Sequence, residues 1–352
     1  MGSGGNMAEN KYGTLEEVVD EVSRIYREGQ NRDDLKAVLY LQILLNGLKV
    51  KRDELGTLDL KVISRALSEV RYAARVFKPY RRKRKVSIFG SARTPERDRR
   101  YQMAVEFARQ LAANDFMVIT GAADGIMKAG NVGAGKEKSF GVNILLPFEQ
   151  APNEILADDP KLITFKYFFT RKLFFLMEAH AVALFPGGFG TQDEGFETLT
   201  LVQTGKAPPM PLILMELPED DYWRNWDKFV RGQMLERGLI SPEDVSIYKI
   251  CNTPEEGVEW VKFFYSTYHS MRLVRRKLVV RLEKELTDED VALLNDQFSD
   301  IVDKGRIEKS SMLPEEANEP EIADKPRLVF SYNQMNAARL NQMFLRINEL
   351  GA

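Results

Sequence analysis

From residue 15 to about residue 77, apolar residues recur at helical spacing, as in Leu35, Val38, Leu39 and Leu45. Gly29, Gly47 and Gly56 punctuate the run, which predicts three helices. A basic stretch with a proline, Lys78-Pro79-Tyr80-Arg81-Arg82-Lys83-Arg84-Lys85, separates this segment from a chain of different texture. Beyond it, short β-branched runs at 86–89, 116–120, 141–146, 162–165, 181–185 and 212–215 alternate with helical patterns. The helices are expected from about Glu96, near Ile126, from Arg171 and from Gln192. Such alternation predicts an α/β fold, a doubly wound and mainly parallel sheet with helices on both faces, whose ligands sit beyond the carboxyl ends of the strands.

The tail from about Ser266 contains two strand-then-helix patterns, 277–282 followed by 287–302 and 327–330 followed by 333–350. Leu294-Asn295-Asp296-Gln297-Phe298 echoes Leu340-Asn341-Gln342-Met343-Phe344, a faint internal repeat. The polar stretch 304–325, with Pro314 and Pro320, reads as a mobile linker or flap. The expected domains are therefore a helical segment at 7–85, an α/β core at 86–265 and a small α/β extension at 266–352. Residues 1–6, Met-Gly-Ser-Gly-Gly-Asn, read as an expression-tag remnant ahead of a natural start at Met7.

Composition narrows the chemistry. Among 352 residues, 50 lysines and arginines nearly balance 52 aspartates and glutamates, so bulk charge does not point to nucleic acid or membrane as the main partner. One cysteine, Cys251, excludes an intramolecular disulfide, and two histidines, His180 and His269, leave little for a zinc site. No apolar stretch reaches the ~20 residues that cross a bilayer, and the expected location is the cytoplasm.

The informative segment is Pro186-Gly187-Gly188-Phe189-Gly190-Thr191-Gln192-Asp193-Glu194, which joins the end of a buried strand to the start of a helix. That placement aims backbone N–H groups and the positive end of a helix dipole at one point, where a phosphate is the natural occupant. Thr191 is expected to cap the helix. Asp193 and Glu194 suit a helix start on dipole grounds alone, but Glu194, one turn above a bound phosphate, reaches a ribose or an attacking water. Thr170 reads as a second N-cap, placing Arg171 and Lys172 in a first helical turn against the dipole unless an anion binds there. Two further turns supply walls: Gly90-Ser91, and Gly121-Ala122-Ala123-Asp124-Gly125-Ile126-Met127 followed by Asn131. The spacing is neither the dinucleotide pattern nor a Walker loop.

These residues resemble the Lonely Guy (LOG) family, nucleoside 5′-monophosphate phosphoribohydrolases long labelled lysine decarboxylases. The match is to Pro-Gly-Gly-x-Gly-Thr-x-x-Glu, satisfied by Pro186, Gly187, Gly188, Gly190, Thr191 and Glu194, with the Arg171-Lys172 pair before it. The resemblance spans about residues 86–261. It implies a Rossmann-like homo-oligomer that cleaves the N-glycosidic bond of a nucleoside monophosphate without metal or redox cofactor. Glu194 and Arg171, with Asp193 beside them, are then the catalytic residues. Gly90, Ser91, Gly121, Gly125, Met127, Asn131, Lys172 and the 186–191 loop hold the substrate. The chain departs from the family at Ala122 and Ala123, where glycines are common, and at Phe169, where a histidine is common. The alanines are expected to narrow the approach to the ligand.

A rival reading keeps the pocket without chemistry, as a nucleotide sensor or carrier. A nucleic-acid binder has only the charge clusters at 81–85 and 93–100 behind it. Lysine decarboxylation has no support, because nothing marks a lysine for a pyridoxal Schiff base.

Overall fold

The computed structural model describes residues 14–32, 34–145 and 151–352. Residues 1–13, with the expected start at Met7, and the expected strand end at Leu146 lie outside the described residues. The chain divides into two compact units, Met1–Ser68 and Glu69–Ala352.

The first unit is helical. It holds α1 (Leu15–Glu28), α2 (Leu35–Arg52) and the opening turns of α3 (Thr57–Phe77). Thr14 starts α1 through a reciprocal cap, its hydroxyl accepting from the Glu17 N–H while the Glu17 carboxylate accepts from the Thr14 N–H. Asp34 caps α2 in the same way from one side, accepting from the Lys36 and Ala37 N–H groups.

The second unit is built on seven parallel strands: β1 (Lys85–Phe89), β2 (Met117–Thr120), β3 (Ser139–Ile144), β4 (Leu162–Phe165), β5 (Ala181–Leu184), β6 (Leu212–Met215) and β7 (Tyr248–Cys251). Their order is β4-β3-β2-β1-β5-β6-β7. Val86 lies opposite Val118 on one side and Ala181 on the other. The chain thus winds outward from the centre in both directions, and the switch point falls between β1 and β5.

The helices of this unit are α4 (Arg99–Ala113), α5 (Ile126–Ala134), α6 (Phe168–Met177), α7 (Phe189–Gln203), α8 (Tyr222–Phe229) and α9 (Pro254–Phe264). Central strands buried on both faces read as continuous apolar runs, and β1, β2, β5 and β6 are buried throughout. One sheet face packs Val142, Val182 and Leu212 against Phe174 and Phe175 of α6. The other packs Val86, Ile88 and Ile213 against Phe107 of α4, Ile126 of α5 and Val258 of α9. Each such side chain contributes about 1.5–3 kcal/mol on burial. Phe77, at the end of α3, stacks on Phe140 at 4.4 Å and closes the first face.

The basic run is not a free linker. Lys85 is the first residue of β1 and is buried beside Glu178 at 3.3 Å. Arg84 lies over the Tyr265 ring at 3.7 Å, and Lys83 pairs with Asp115 at 2.6 Å. Arg100, in the other basic cluster, grips Asp220 with two bonds of 2.7 Å.

The C-terminal extension is a four-stranded antiparallel sheet, order β10-β11-β9-β8, formed by β8 (Tyr268–Val274), β9 (Lys277–Leu282), β10 (Val302–Ser310) and β11 (Arg327–Tyr332). With α10 (Asp288–Gln297) and α11 (Ala337–Leu350) it forms two successive ββα units, whose central strands β9 and β11 pair antiparallel. The echoed sequence falls on corresponding helices, where Leu294, Phe298, Leu340 and Phe344 all enter one core.

The expected flap at 304–325 is a correction. Part of it is β10, held by Asn295, which accepts from the Ile307 N–H and donates to the Ile307 carbonyl. The proline-containing part is anchored by Glu316, fully buried between Arg281 and Arg327 at 2.7 and 2.9 Å. Among the described residues no helix is long and apolar enough to cross a membrane.

Candidate functional site

A depression of about 750 Å³ opens at the carboxyl ends of β1, β2 and β5, at the switch point. Its far wall is the start of α7. The helix begins at Phe189, with Gly188 as its cap residue, so Thr191 is the third residue of the first turn and not the expected N-cap. The glycines that suggested a loop reaching to Thr191 lie partly inside the helix. First-turn residues have no earlier turn to bond, which lowers the cost of Gly190 there. Gly188 has no side chain to cap the turn, and of the first-turn N–H groups that of Thr191 already donates to the Gly188 carbonyl at 3.0 Å. Thr191 is buried, and a Cβ on Gly187 would stand 2.2 Å from its Oγ1 and 3.0 Å from the Ser91 N.

Glu194, one turn further, is only 7% exposed. Its Oε2 is buried without a hydrogen-bond partner among the described residues. Burial pushes its carboxyl up to about 7, opposed by the Lys172 and Arg171 charges and reinforced by Glu197 and Asp193. Asp193 is at the mouth of the cavity, and its carboxylate pairs with Lys172 at 2.7 Å. Lys172 also pairs with Glu197 at 2.7 Å, so it braces α6 against α7 and is not among the cavity-lining residues.

The second wall is α6. Its cap residue is Tyr167, not Thr170. The Thr170 hydroxyl donates to Glu69 of α3 at 2.6 Å and lies 2.9 Å from the Tyr167 carbonyl, and Glu69 also accepts from the Lys166 N–H at 2.7 Å. Two apolar residues, Phe168 and Phe169, hid this helix start from a reading that looked for a small polar cap. Arg171 consequently closes the first turn instead of opening it. Its Nε donates to the Val142 carbonyl at 2.9 Å, its guanidinium sits 5.0 Å from the Phe175 ring centre, and it lines the cavity.

The third wall joins the turns after β1 and β2. Gly90, Ser91, Gly121 and Met127 line it. Gly121 has to be glycine, because a Cβ there would stand 2.6 Å from both Arg171 Nη2 and Met127 Sδ. Gly125 adopts φ +64° and lies so close to the Ser91 carbonyl that a Cβ would meet it at 2.2 Å. Gly125, Pro186 and Asn131 shape the site from behind and are not on its surface. Asn131 is fully buried, accepting from Thr120 at 2.8 Å and from Asn153 at 3.0 Å, while Thr120 accepts from the Ala122 N–H.

The departures from the family pattern differ in where they lie. Ala122 takes φ +58°, an unusual conformation for a residue with a Cβ, and is fully buried toward Gly141, away from the cavity surface. Only Ala123 lines the cavity. Phe169 is exposed and stacks on Tyr167 at 5.5 Å, while Phe168 faces the cavity in its place.

Sequence reasoning missed Tyr222. Its hydroxyl donates to the Gly187 carbonyl at 2.6 Å and accepts from Gln192 Nε2 at 2.7 Å, tying the glycine loop to α8. Its position after β6, a strand neighbouring β5, was the available signal.

Residues 121–261 match the family model described as "Possible lysine decarboxylase". No match is found among curated proteins. The molybdenum cofactor binding protein from Rippkaea orientalis is similar in structure over 51% of this chain and 96% of its own, with 18% identity and a TM-score of 0.37. The molybdenum cofactor carrier protein from Chlamydomonas reinhardtii aligns over the same shares of the two chains, at 19% identity and a TM-score of 0.37. DNA processing protein A from Helicobacter pylori is similar over 51% of this chain and 80% of its own, at 16% identity and a TM-score of 0.35. Residues 121–261, which include the Pro186-to-Glu194 loop, are thus similar to this family, and the likeness to the Lonely Guy (LOG) proteins rests on that segment of the chain.

Proposed function

We propose that the cavity binds a nucleoside 5′-monophosphate and that Glu194 and Arg171 hydrolyse its N-glycosidic bond, releasing free base and ribose 5-phosphate. The observation that carries this reading is Glu194, a buried carboxyl with an unpartnered oxygen on the cavity wall and a titration point near neutrality. A group poised near the working pH is suited to proton transfer.

The 5′-phosphate sits at the start of α7, with the Thr191 and Ser91 hydroxyls beside it. The ribose then lies over the first turn of α7, toward Glu194. As the C1′–N bond breaks, positive charge develops on the sugar, and the Glu194 carboxylate stabilises it and takes a proton from the water that forms the new C1′–O bond. The released base takes a proton from solvent or from the carboxyl so formed. Arg171, held by the Val142 carbonyl over Gly121, orients the nucleotide by its fixed donors. Asp193 contributes through its charge, which helps keep the Glu194 carboxyl high. No lysine is among the described residues that line the cavity, which argues against a Schiff base.

A homo-oligomer is part of the same reading. Phe168, Leu173 and Met177 of α6 are exposed beside the cavity and suit a contact with a second copy.

The test is incubation of the purified chain with AMP, GMP, CMP and UMP and quantification of base and ribose 5-phosphate. Purine monophosphates are expected to be cleaved faster than pyrimidine ones. Tight binding with the nucleotide recovered unchanged would replace this reading with the sensor or carrier.

A further inference from the structure

The helical unit Met1–Ser68 carries apolar surface that its own described helices leave exposed. α1 has a complete amphipathic stripe, Leu15, Val18, Val19, Val22, Ile25 and Tyr26, yet none of its residues is buried. α2 is apolar around most of its circumference, the mark of a helix enclosed by others, yet only Ala37 and Leu41 are buried. On α1 and α2, eleven large apolar side chains are at least 36% exposed. At about 80 Å² apiece, roughly half the area of a large side chain, they amount to about 900 Å² per copy. A stable interface needs about 800 Å² from each partner.

Charge identifies the occupant. α1 carries Glu16, Glu17, Asp20, Glu21 and Glu28 against Arg24 and Arg27, whereas α2 carries Lys36, Lys49, Lys51 and Arg52 and no acid. A partner of a single sign meets like charge on one of the two helices. A second copy related by a two-fold axis lays the acidic helix of each chain on the basic helix of the other. We propose that residues 15–67 are a self-association module in which two copies of this chain bury the apolar faces of α1 and α2 against each other. This contact is separate from the α6 face and does not depend on the activity of the cavity.

The test uses the full chain. Sedimentation velocity compares wild type with the double variant Leu39→Glu, Ile43→Glu, both positions being exposed in the single chain, so its fold is expected to survive. The particle mass is expected to fall by half in the variant. Amide exchange on the wild type, which involves no substitution, is expected to show protection of α1 and α2 that falls on dilution while β1, β2 and β5 keep theirs. An unchanged mass in a folded variant, or α1 and α2 protection independent of concentration, would overturn the proposal. Recruitment of the wild type, but not the variant, to phosphatidylglycerol vesicles would also overturn it, in favour of a membrane surface.

Discussion

Glu316 in the C-terminal extension and Glu194 beside the cavity are both buried, but only Glu316 is answered by arginines at both oxygens. Burial opposes its charge, and the Leu313 N–H with the Arg281 and Arg327 guanidiniums outweighs that cost and holds its carboxyl below the usual range. Glu194 has cations nearby and no hydrogen bond to its inner oxygen, so burial wins and the carboxyl rises. The fully paired acid organises a proline-containing segment into a fixed structure. The incompletely paired one keeps a proton available at neutral pH and faces an open cavity. Burial alone therefore does not mark a functional acid; Glu194 adds to it an unpartnered oxygen and a place on the cavity wall.

The contrast breaks first at Glu316. Glu316→Ala leaves buried Arg327 without a carboxylate and Arg281 with Glu319 alone, and is expected to cost about 3–5 kcal/mol in urea unfolding. A cost near zero would mean that the network does not hold the extension together. Glu194→Gln is expected to act in the opposite direction. The folded carboxyl titrates at about 7 against an ordinary 4.5, so its stabilising contribution is complete below about 4.5 and is lost as pH rises through 7. Glutamine never ionises, so this variant should be more stable than wild type at pH 8, by roughly 3 kcal/mol at about 1.4 kcal/mol per unit, and nearly equal at pH 4. Equal stability at both pH values would show that Glu194 is not desolvated. The smallest effect is at Ala122, where Ala122→Gly relieves the positive φ. It should raise stability by about 0.5–1 kcal/mol and leave nucleotide affinity unchanged in calorimetry, because the methyl faces Gly141 and not the ligand.

The legibility of these features followed their periodicity. The six short β-branched runs appear as β1 to β6 because doubly buried parallel strands are apolar without interruption. β10 was lost because its pattern shows a single buried residue, Ile307, and its pairing is set by Asn295 and by β11, distant in sequence. The glycine loop, Glu194 and Arg171 were legible as local chemistry. The helix starts were not, since Thr170 and Thr191 resemble caps but bond deeper in the first turn or lie beneath it, and tertiary contacts to Glu69 and Tyr222 do the anchoring. The same distance in sequence hid Tyr222, which meets Gly187 thirty-five residues away.

The most direct measurement is a single-turnover assay of AMP with wild type and Glu194→Gln, following adenine and ribose 5-phosphate together with bound nucleotide. The account predicts cleavage by the wild type and a loss of about 10²–10⁴-fold in the variant, with AMP still bound. Equal cleavage by both proteins, or intact AMP on both, would contradict it.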